Sequence, residues 1–476
     1  QSSQANNSSI TGQNYPTDAT IRDPTSGLTI STSYSTTPNR QLGYFGRVYY
    51  IWDQKYILDL TGRYDGSTKF GPGKQFGTFG AIGAGWIFSE EHWLKQYLRW
   101  LSFGKLRGSY GTTGGDGVGN YAYLTTYSVA NNGYQGGLRI APGRLANPYL
   151  QWETNKKKEA GLELRFLRDR ISVEASYYDQ RTSNQLVSLP LSIVTGYSQI
   201  TQNSPALIKN SGLEAALTTV NIQSKSFSWQ TSFNISFNRN KLLAYPGAIP
   251  GAGIRNNANL EIGRSMQNYK VYKYNGVDPA TGLYFFTNAK GVAGSYLPFF
   301  TAGLSQADRT INLDLQPRYF GGLENSINYK GFTLDFFFYF TRREGRNYQG
   351  QQLLIPGVIG LVPTAEWTKA WQKPGDVTAY PKVTQNPLNS LIQQQNFTSS
   401  TGAYETITYA RLQNLALSYN FRPAFLKKAK ITALSVYVKG QNLLTISKYK
   451  QLDPENMAAG AMGPYRIYTG GVNITL

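Results

Sequence analysis

Residues 227–238 read FSWQTSFNISFN, and an apolar or aromatic side chain stands at nearly every second position. Side chains of an extended strand alternate between two faces, so Phe227, Trp229, Phe233, Ile235 and Phe237 share one face with Thr231. Ser228, Gln230, Ser232, Asn234, Ser236 and Asn238 make up the other. The same period recurs along the chain. In 332–341, Phe332, Leu334, Phe336, Phe338 and Phe340 lie opposite Asp335, Phe337 and Tyr339. Ala160, Leu162, Leu164 and Phe166 oppose Glu159, Glu163 and Arg165; Ile171, Val173, Ala175 and Tyr177 oppose Ser172, Glu174 and Ser176. Leu434, Val436 and Val438 oppose Ser435, Tyr437 and Lys439.

A soluble sandwich and a membrane barrel both produce this pattern, the first burying its apolar face and the second turning it to lipid. The connections separate them. About thirteen strands are predicted, near 44–52, 55–65, 75–88, 101–112, 155–167, 170–186, 211–223, 227–238, 317–329, 332–343, 405–421, 431–446 and 465–476. Their links alternate between short (53–54, 89–100, 168–169, 224–226, 330–331, 422–430) and long (66–74, 113–154, 187–210, 239–316, 344–404, 447–464). A further hairpin is expected within 269–287. Compact soluble domains rarely carry such long loops, whereas tight turns at one end and long loops at the other define an outer-membrane barrel. The odd count and the first strand's direction, toward a tight turn, imply the C-terminal part of a larger barrel. The polar segment 1–43 is expected as an extracellular loop, with 44–476 forming the barrel part.

Composition narrows the chemistry. The 476 residues include no Cys, one His (His92) and 3 Met, with 47 Lys plus Arg against 27 Asp plus Glu, a formal charge of +20. Cysteine-free, the chain has no disulfide framework, no thiolate zinc site and no thiol nucleophile. One histidine excludes a multi-histidine metal centre. No apolar run reaches the length of a membrane helix, and residues 1–40 hold no apolar signal-peptide core. Aromatics are 14% of the chain and charged residues 16%, against roughly 25% in soluble domains. So many aromatics demand an apolar environment, and disorder is excluded.

Ten stretches, in order, match a known family. They include YFGRVYYIWDQKYILDLTGRYDGSTKFG (44–71), GWIFSEEHWLK (85–95), FGKLRGSYGTTGG (103–115), NPYLQWETNKKKEAGLEL (147–164) and RISVEASYYDQRTSNQLV (170–187). NSGLEAAL (210–217), NYKGFTLDFFFYF (328–340), YARLQNLALSYNF (409–421), VYVKGQNLLTISKYKQLDPE (436–455) and YRIYTGGVNITL (465–476) follow. The chain resembles the C-terminal half of the barrel of SusC/RagA-type TonB-dependent transporters of Bacteroidota. The resemblance implies an all-β, transmembrane antiparallel β-barrel of 22 strands with a plugged lumen, of which this chain supplies about thirteen. Plug, TonB-contacting segment and early strands are then absent from it. It also implies outer-membrane localisation, a SusD-like surface lipoprotein as lid, and TonB acting through the absent N-terminal part. The substrate class would be an oligosaccharide or peptide. Leu476 departs from the family's usual aromatic end.

No catalytic, cofactor-binding or metal-binding residues are assigned, and the chain is expected not to be an enzyme. GTTGGDGVGN (111–120) lacks the Gly-Lys-Ser/Thr ending of a phosphate loop and is expected as a flexible external loop. His92, in SEEHWLK, is expected on a short helical turn at the tight-turn end. Asp65 is expected to make a turn with Gly66 or to accept from Arg63. Glu159, Glu163, Arg165, Glu174, Glu214, Asp335 and Lys439 are candidate lumen-facing residues for a transport route; their alternative role is to pair with one another or with the plug. The charge of +20 predicts no nucleic-acid partner, because no RNA-binding signature or basic helix accompanies it. Lys156-Lys157-Lys158 and Lys427-Lys428 lie beside strand ends, where outer-membrane lipid or lipopolysaccharide phosphates could meet them. Trp52, Trp86, Trp93, Trp100, Trp152 and Trp229 are expected in interfacial girdles. Two rival readings remain at this point: a structural or scaffolding outer-membrane barrel, and a soluble β-rich glycan-binding protein.

Overall fold

The structure, a computed structural model, describes residues 2–13, 17, 23–26, 29–130, 139–246, 259–296, 303–358, 365–421, 431–449, 453–456 and 462–475. Lys427, Lys428, the link 422–430 and Leu476 lie outside the described residues. The strands are β1 (Ser2–Gln13), β2 (Thr29–Trp52), β3 (Tyr56–Ser67), β4 (Phe76–Trp86), β5 (Leu101–Gly115), β6 (Thr126–Ala130), β7 (Arg139–Arg144), β8 (Glu153–Phe166), β9 (Ile171–Ser183), β10 (Leu186–Pro190), β11 (Gln199–Asn203) and β12 (Leu207–Gln223). They continue with β13 (Phe227–Ala244), β14 (Asn268–Val271), β15 (Lys273–Val277), β16 (Tyr284–Thr287), β17 (Ala293–Gly294), β18 (Ile311–Asp314), β19 (Tyr319–Tyr329), β20 (Phe332–Arg346), β21 (Tyr404–Asn420), β22 (Ala433–Ser447) and β23 (Ile467–Thr475). Two α-helices are α1 (His92–Tyr97) and α2 (Pro387–Thr398). Every strand expected from alternation is present, and the expected turn at His92 opens α1.

The chain divides into two units, residues 1–85, 108–159 and 180–208 in the first and 86–107, 160–179 and 209–476 in the second. In the first the sheet order is β1-β2-β3-β4, continued by residues of β5, β8 and β9. In the second, residues of β5, β8 and β9 are followed by β12-β13-β19-β20-β21-β22-β23. Sequential neighbours pair antiparallel, for example β2 with β3 and β19 with β20. Tight turns close two of the short links: Asp53 and Gln54 are both left-handed (φ 49° and 53°), as are Lys330 and Gly331 (φ 47° and 98°). Paired positive φ gives the turn whose twist suits a tight hairpin.

Within 1–43 the described residues include paired strands. β1 pairs residue for residue with the first half of β2, from Ser2 opposite Arg40 to Gln13 opposite Thr29. Pairing satisfies the backbone whatever the side chains are, so a hairpin polar on both faces carries no alternation to read. Beyond it, the β2–β3 register puts Leu42, Tyr44, Val48, Tyr50 and Trp52 on one face with Tyr56, Leu58, Leu60 and Tyr64. All of these are exposed, a row of apolar side chains of a kind that monomeric soluble proteins rarely present. The opposite face carries Arg47, bidentate on Asp59 at 2.8 and 2.6 Å. Phe70, Ala122 and Leu150 form a small loop core in this unit, against which Trp152 packs. Trp152 is therefore a core residue rather than a girdle residue, its indole N–H satisfied by the Gln75 carbonyl at 2.9 Å.

In the second unit the register sets Phe227, Trp229, Phe233 and Ile235 of β13 across from Tyr329, Ile327, Leu323 and Gly321 of β19. Those face Phe332, Leu334, Phe338 and Phe340 of β20. Phe233 stacks on Phe340 with centroids 5.7 Å apart, over Gly321, where a Cβ would lie 2.6 Å from the Phe340 ring. Thr231 and its partner Asn325 interrupt this apolar face. Asn325 Oδ1 accepts from Trp229 Nε1 at 2.9 Å and Thr231 Oγ1 at 2.6 Å. Thr231 Oγ1 in turn accepts from Asn221 Nδ2 at 2.8 Å. The polar island satisfies itself, as a hydrocarbon environment requires.

Candidate functional site

Two places in the structure gather functional side chains: the polar face of the strands and the long connections of the second unit. On the polar face, Glu163 lies 3.5 Å from Lys105 and 3.3 Å from Arg107 on the adjacent strand. Arg165 continues that ladder with its guanidinium 5.0 Å from the Phe103 ring. Glu159 meets Lys157 two residues away at 2.7 Å. Glu174 and Glu214 are exposed and have no cation in salt-bridge range among the described residues. Asp335 lines a 190 Å³ recess with Glu324, Phe337 and Asn414. Lys439 stands opposite Ala416 and lies 4.7 Å from the Tyr437 ring. Of the seven predicted residues, Glu159 and Glu163 are thus ion-paired, and the other five take no ion pair among the described residues.

A larger cavity, about 630 Å³, opens in the first unit among Gln41, Arg63, Asp65, Thr112, Asp116 and Trp152. Arg63 is bidentate on Asp65 at 3.1 Å for both bonds, and β3 runs through Gly66, so the expected turn at Asp65 is not made. Asp116 collects Gln41 Nε2 at 3.2 Å, Ser67 Oγ at 3.3 Å and Lys69 Nζ at 3.2 Å. The glycine-rich stretch is only partly loop, since β5 extends to Gly115. Its first half pairs as strand because glycine keeps the backbone donors and acceptors that a ladder needs.

The long connections of the second unit co-fold. Residues from 271–304 and 355–404 share one aromatic core: Tyr272, Val277, Tyr284, Phe286, Ile355, Trp367 and Phe397 are buried together, with Tyr274, Trp371 and Tyr380 against them. Tyr284 stacks on Phe397 at 4.4 Å, and Tyr274 meets the same ring edge-on at 5.2 Å. The hairpin foreseen within 269–287 is β15–β16. Its turn is held by Asp278, whose carboxylate accepts from Ala280 N at 3.0 Å and Thr281 Oγ1 at 2.6 Å. Helix α2 begins at Asn386, whose side chain accepts from Leu388 N and Asn389 N, with Pro387 in the first turn. Its buried face is largely polar. Gln394 Nε2 donates to the Gln349 and Gln352 carbonyls at 2.7 and 3.0 Å, and Ser390 Oγ to Ile355 O at 2.8 Å. Side-chain amides thereby satisfy loop carbonyls that have no ladder. Burial pushes the Tyr284 hydroxyl well above the ordinary phenol value and raises Tyr274 too, so this core stays neutral.

Where this body meets the strands, a cavity of about 420 Å³ is lined by Tyr269, Arg343, Glu344, Arg346, Gln351 and Tyr404. Beside it Arg411, 1% exposed, binds Asp453 at 2.5 Å, Glu455 at 2.8 Å and Thr445 Oγ1 at 3.1 Å. Arg343 Nη2 donates to the Glu455 carbonyl at 2.6 Å. Sequence reasoning missed this anchor. Arg411 reads as one more polar position in an alternating strand, and its partners lie about forty residues away in QLDPE. Tyrosines, arginines and amides around open cavities can hold an extended polar ligand by stacking and hydrogen bonding. No group of three or more His, Asp or Glu suited to a metal occurs among the described residues.

Comparison with known proteins gives these features a family. The pattern described as "TonB dependent receptor-like, beta-barrel" matches residues 2–443. TonB-dependent receptor P3 of Formosa agariphila is 29% identical over 440 residues, covering 86% of this chain and 41% of that protein. TonB-dependent receptor SusC of Bacteroides thetaiotaomicron is 28% identical over 475 residues, 94% of this chain and 44% of that protein. The chain therefore spans less than half the length of these relatives. A solved structure of the RagAB peptide transporter superposes with a TM-score of 0.82 at 25% identity, over 99% of this chain and 52% of that one.

Proposed function

From a chain that belongs to the TonB dependent receptor-like, β-barrel family of the outer membrane, we propose the following role. It is the C-terminal barrel part of an importer that takes up oligopeptides or oligosaccharides with energy delivered through TonB. The observation that carries this reading is the co-folded body built from two long connections, whose packed aromatic core supplies a rigid external surface. A mere barrel wall has no need of one. The apolar face meets lipid; the polar face, with Glu159, Glu163, Arg165, Glu174, Glu214, Asp335 and Lys439, lines the lumen.

On this reading a SusD-like surface lipoprotein closes over the external connections, and ligand is held between them before passing inward. The polar face suits a wall that a plug slides against, because Glu159 and Glu163 are matched within the wall while Glu174 and Glu214 stay open to a partner. An oligopeptide is favoured as substrate by the likeness to the RagAB peptide transporter, with an oligosaccharide as the second class. The test is uptake by cells carrying the full-length gene in a deletion background. Labelled oligopeptide and oligosaccharide pools are offered with and without TonB. Uptake of one pool that vanishes without TonB supports the reading; uptake unchanged by loss of either TonB or the gene refutes it and favours a scaffolding barrel.

A further inference from the structure

At the long-loop end of its apolar face, the second unit gathers guanidinium groups that the import reading does not use. On β20 the row Phe336, Phe338, Phe340 leads to Arg342, which stands opposite Tyr319. On β13 the row Phe233, Ile235, Phe237 leads to Arg239. Arg239 Nη1 donates to the Arg318 carbonyl at 3.0 Å, and the Arg318 N–H donates to the Arg342 carbonyl at 2.7 Å. One guanidinium-to-carbonyl bond and one backbone bond thus link the three arginine residues, and Arg239 Nη1 also donates to the Asn238 carbonyl at 2.7 Å. Among the described residues one carboxylate answers them: Glu344 takes Arg318 at 2.9 Å and is shared with Thr406 Oγ1 at 2.8 Å. Arg342 Nε is buried and has no hydrogen-bond partner. A buried donor on a cation, left unmatched beside two further cations, marks a place for an anion.

Below the arginines lies an aromatic shelf. Phe237 and Tyr319 are 6.1 Å apart, Tyr319 and Phe340 6.4 Å, and Phe340 and Phe233 5.7 Å. The height of the cluster follows from strand geometry. Arg342 is ten residues along β20 from Phe332 beside the tight turn. At about 3.3 Å per residue and a tilt of about 40°, that places it about 25 Å up, the height of the apolar band of such barrels. Cations at that level face headgroups, and the rings beneath face acyl chains.

We propose that Arg239, Arg318 and Arg342 bind the phosphate of an outer-leaflet glycolipid whose acyl chains lie on the Phe233, Phe237, Tyr319 and Phe340 shelf. Planar guanidinium groups match phosphate oxygens two at a time, and the shelf selects a lipid over a free anion. The site rests on the membrane reading of the apolar face and not on import, so either can fail without the other.

The test uses full-length protein, delipidated in detergent and offered four probes: monophosphorylated lipid A, the same glycolipid dephosphorylated, phosphatidylglycerol, and inorganic phosphate. Bound species are counted by native mass spectrometry. Phosphorylated glycolipid should be retained about tenfold or more over its dephosphorylated form and over phosphatidylglycerol. Arg239→Gln with Arg342→Gln should abolish that preference, whereas Lys225→Gln with Lys330→Gln, the same charge change at the tight-turn end, should keep it. Equal retention of the two glycolipids overturns the proposal. So does phosphatidylglycerol bound as well as the glycolipid, binding of inorganic phosphate alone, an unaltered double variant, or a protein copy occupying the face and excluding lipid. Should the double variant fail to assemble, the native protein's preference between the two glycolipids decides.

Discussion

Replacing Arg411 by methionine removes the guanidinium that ties the last long connection to the strands, and its cost can be worked from the geometry. Arg411 is 1% exposed; its partner carboxylates differ, with the Asp453 side chain 15% exposed and that of Glu455 49%. Charges about 4 Å apart attract by about 4 kcal/mol at the effective dielectric of a shielded pair and by about 1 kcal/mol in water. The Asp453 bond belongs to the first regime and the Glu455 bond to the second. Methionine fills the volume but leaves Asp453 without its cation, so Arg411→Met should cost about 3–5 kcal/mol. Asp453→Asn, which keeps an acceptor but loses the charge, should cost roughly 2 kcal/mol, and Glu455→Gln under about 1 kcal/mol. The assay is urea unfolding of the full-length protein in lipid vesicles followed by tryptophan emission, with limited proteolysis of 447–464 as the local readout. A cost for Glu455→Gln equal to that of Asp453→Asn, or a neutral Arg411→Met, refutes the reasoning.

Gly282 has φ +71°, and a Cβ there would sit 2.5 Å from the Trp371 ring. Gly282→Ala should loosen the co-folded body by about 2–4 kcal/mol, seen as faster protease nicking within 271–304. Phe233→Arg and Phe336→Arg each place a cation near the middle of the apolar band, about 2–4 kcal/mol unfavourable; both should lower the heat-modifiable, assembled fraction, whereas Ser232→Arg on the opposite face should be milder. Asp308 accepts from Ala289 N, Ser305 N and Ser305 Oγ, each at 2.8 Å, and the two backbone donors hold its carboxyl below the usual range. A depressed folded value contributes stability at neutral pH that is lost as pH falls through it. The protection factor of the Ala289 amide, its exchange corrected for the intrinsic pH dependence, should therefore fall below about pH 4, and Asp308→Asn should remove that dependence.

The strands of the sheet were legible because a strand with lipid on one face and polar groups on the other must alternate, and residues 227–238 do so at every position but Thr231. What escaped reading had physical reasons. The β1–β2 hairpin alternates polar with polar, so nothing in SSQANNSSITGQ distinguishes its faces. The co-folded body draws Tyr284 and Phe397 from connections more than a hundred residues apart, and its irregular backbone imposes no period. Trp152 looked like a girdle residue because a strand end and a loop core both attract tryptophan. Thr231 and Asn325 contradict the apolar pattern singly and are tolerated only as a hydrogen-bonded pair. The seven candidate residues stood on the polar face by alternation, but alternation carries no information about which of them meet.

The central claim is that the apolar face of these strands meets lipid and the polar face meets water. Single cysteines at Phe336 and Asp335, adjacent on β20, report the two sides: this chain contributes no other cysteine, and any in the rest of the full-length protein is replaced by serine. In reconstituted full-length protein, Phe336→Cys should react with a bilayer-partitioned maleimide and resist a charged, water-soluble thiosulfonate, and Asp335→Cys should do the reverse. Equal reactivity of both positions toward the water-soluble reagent would contradict the account.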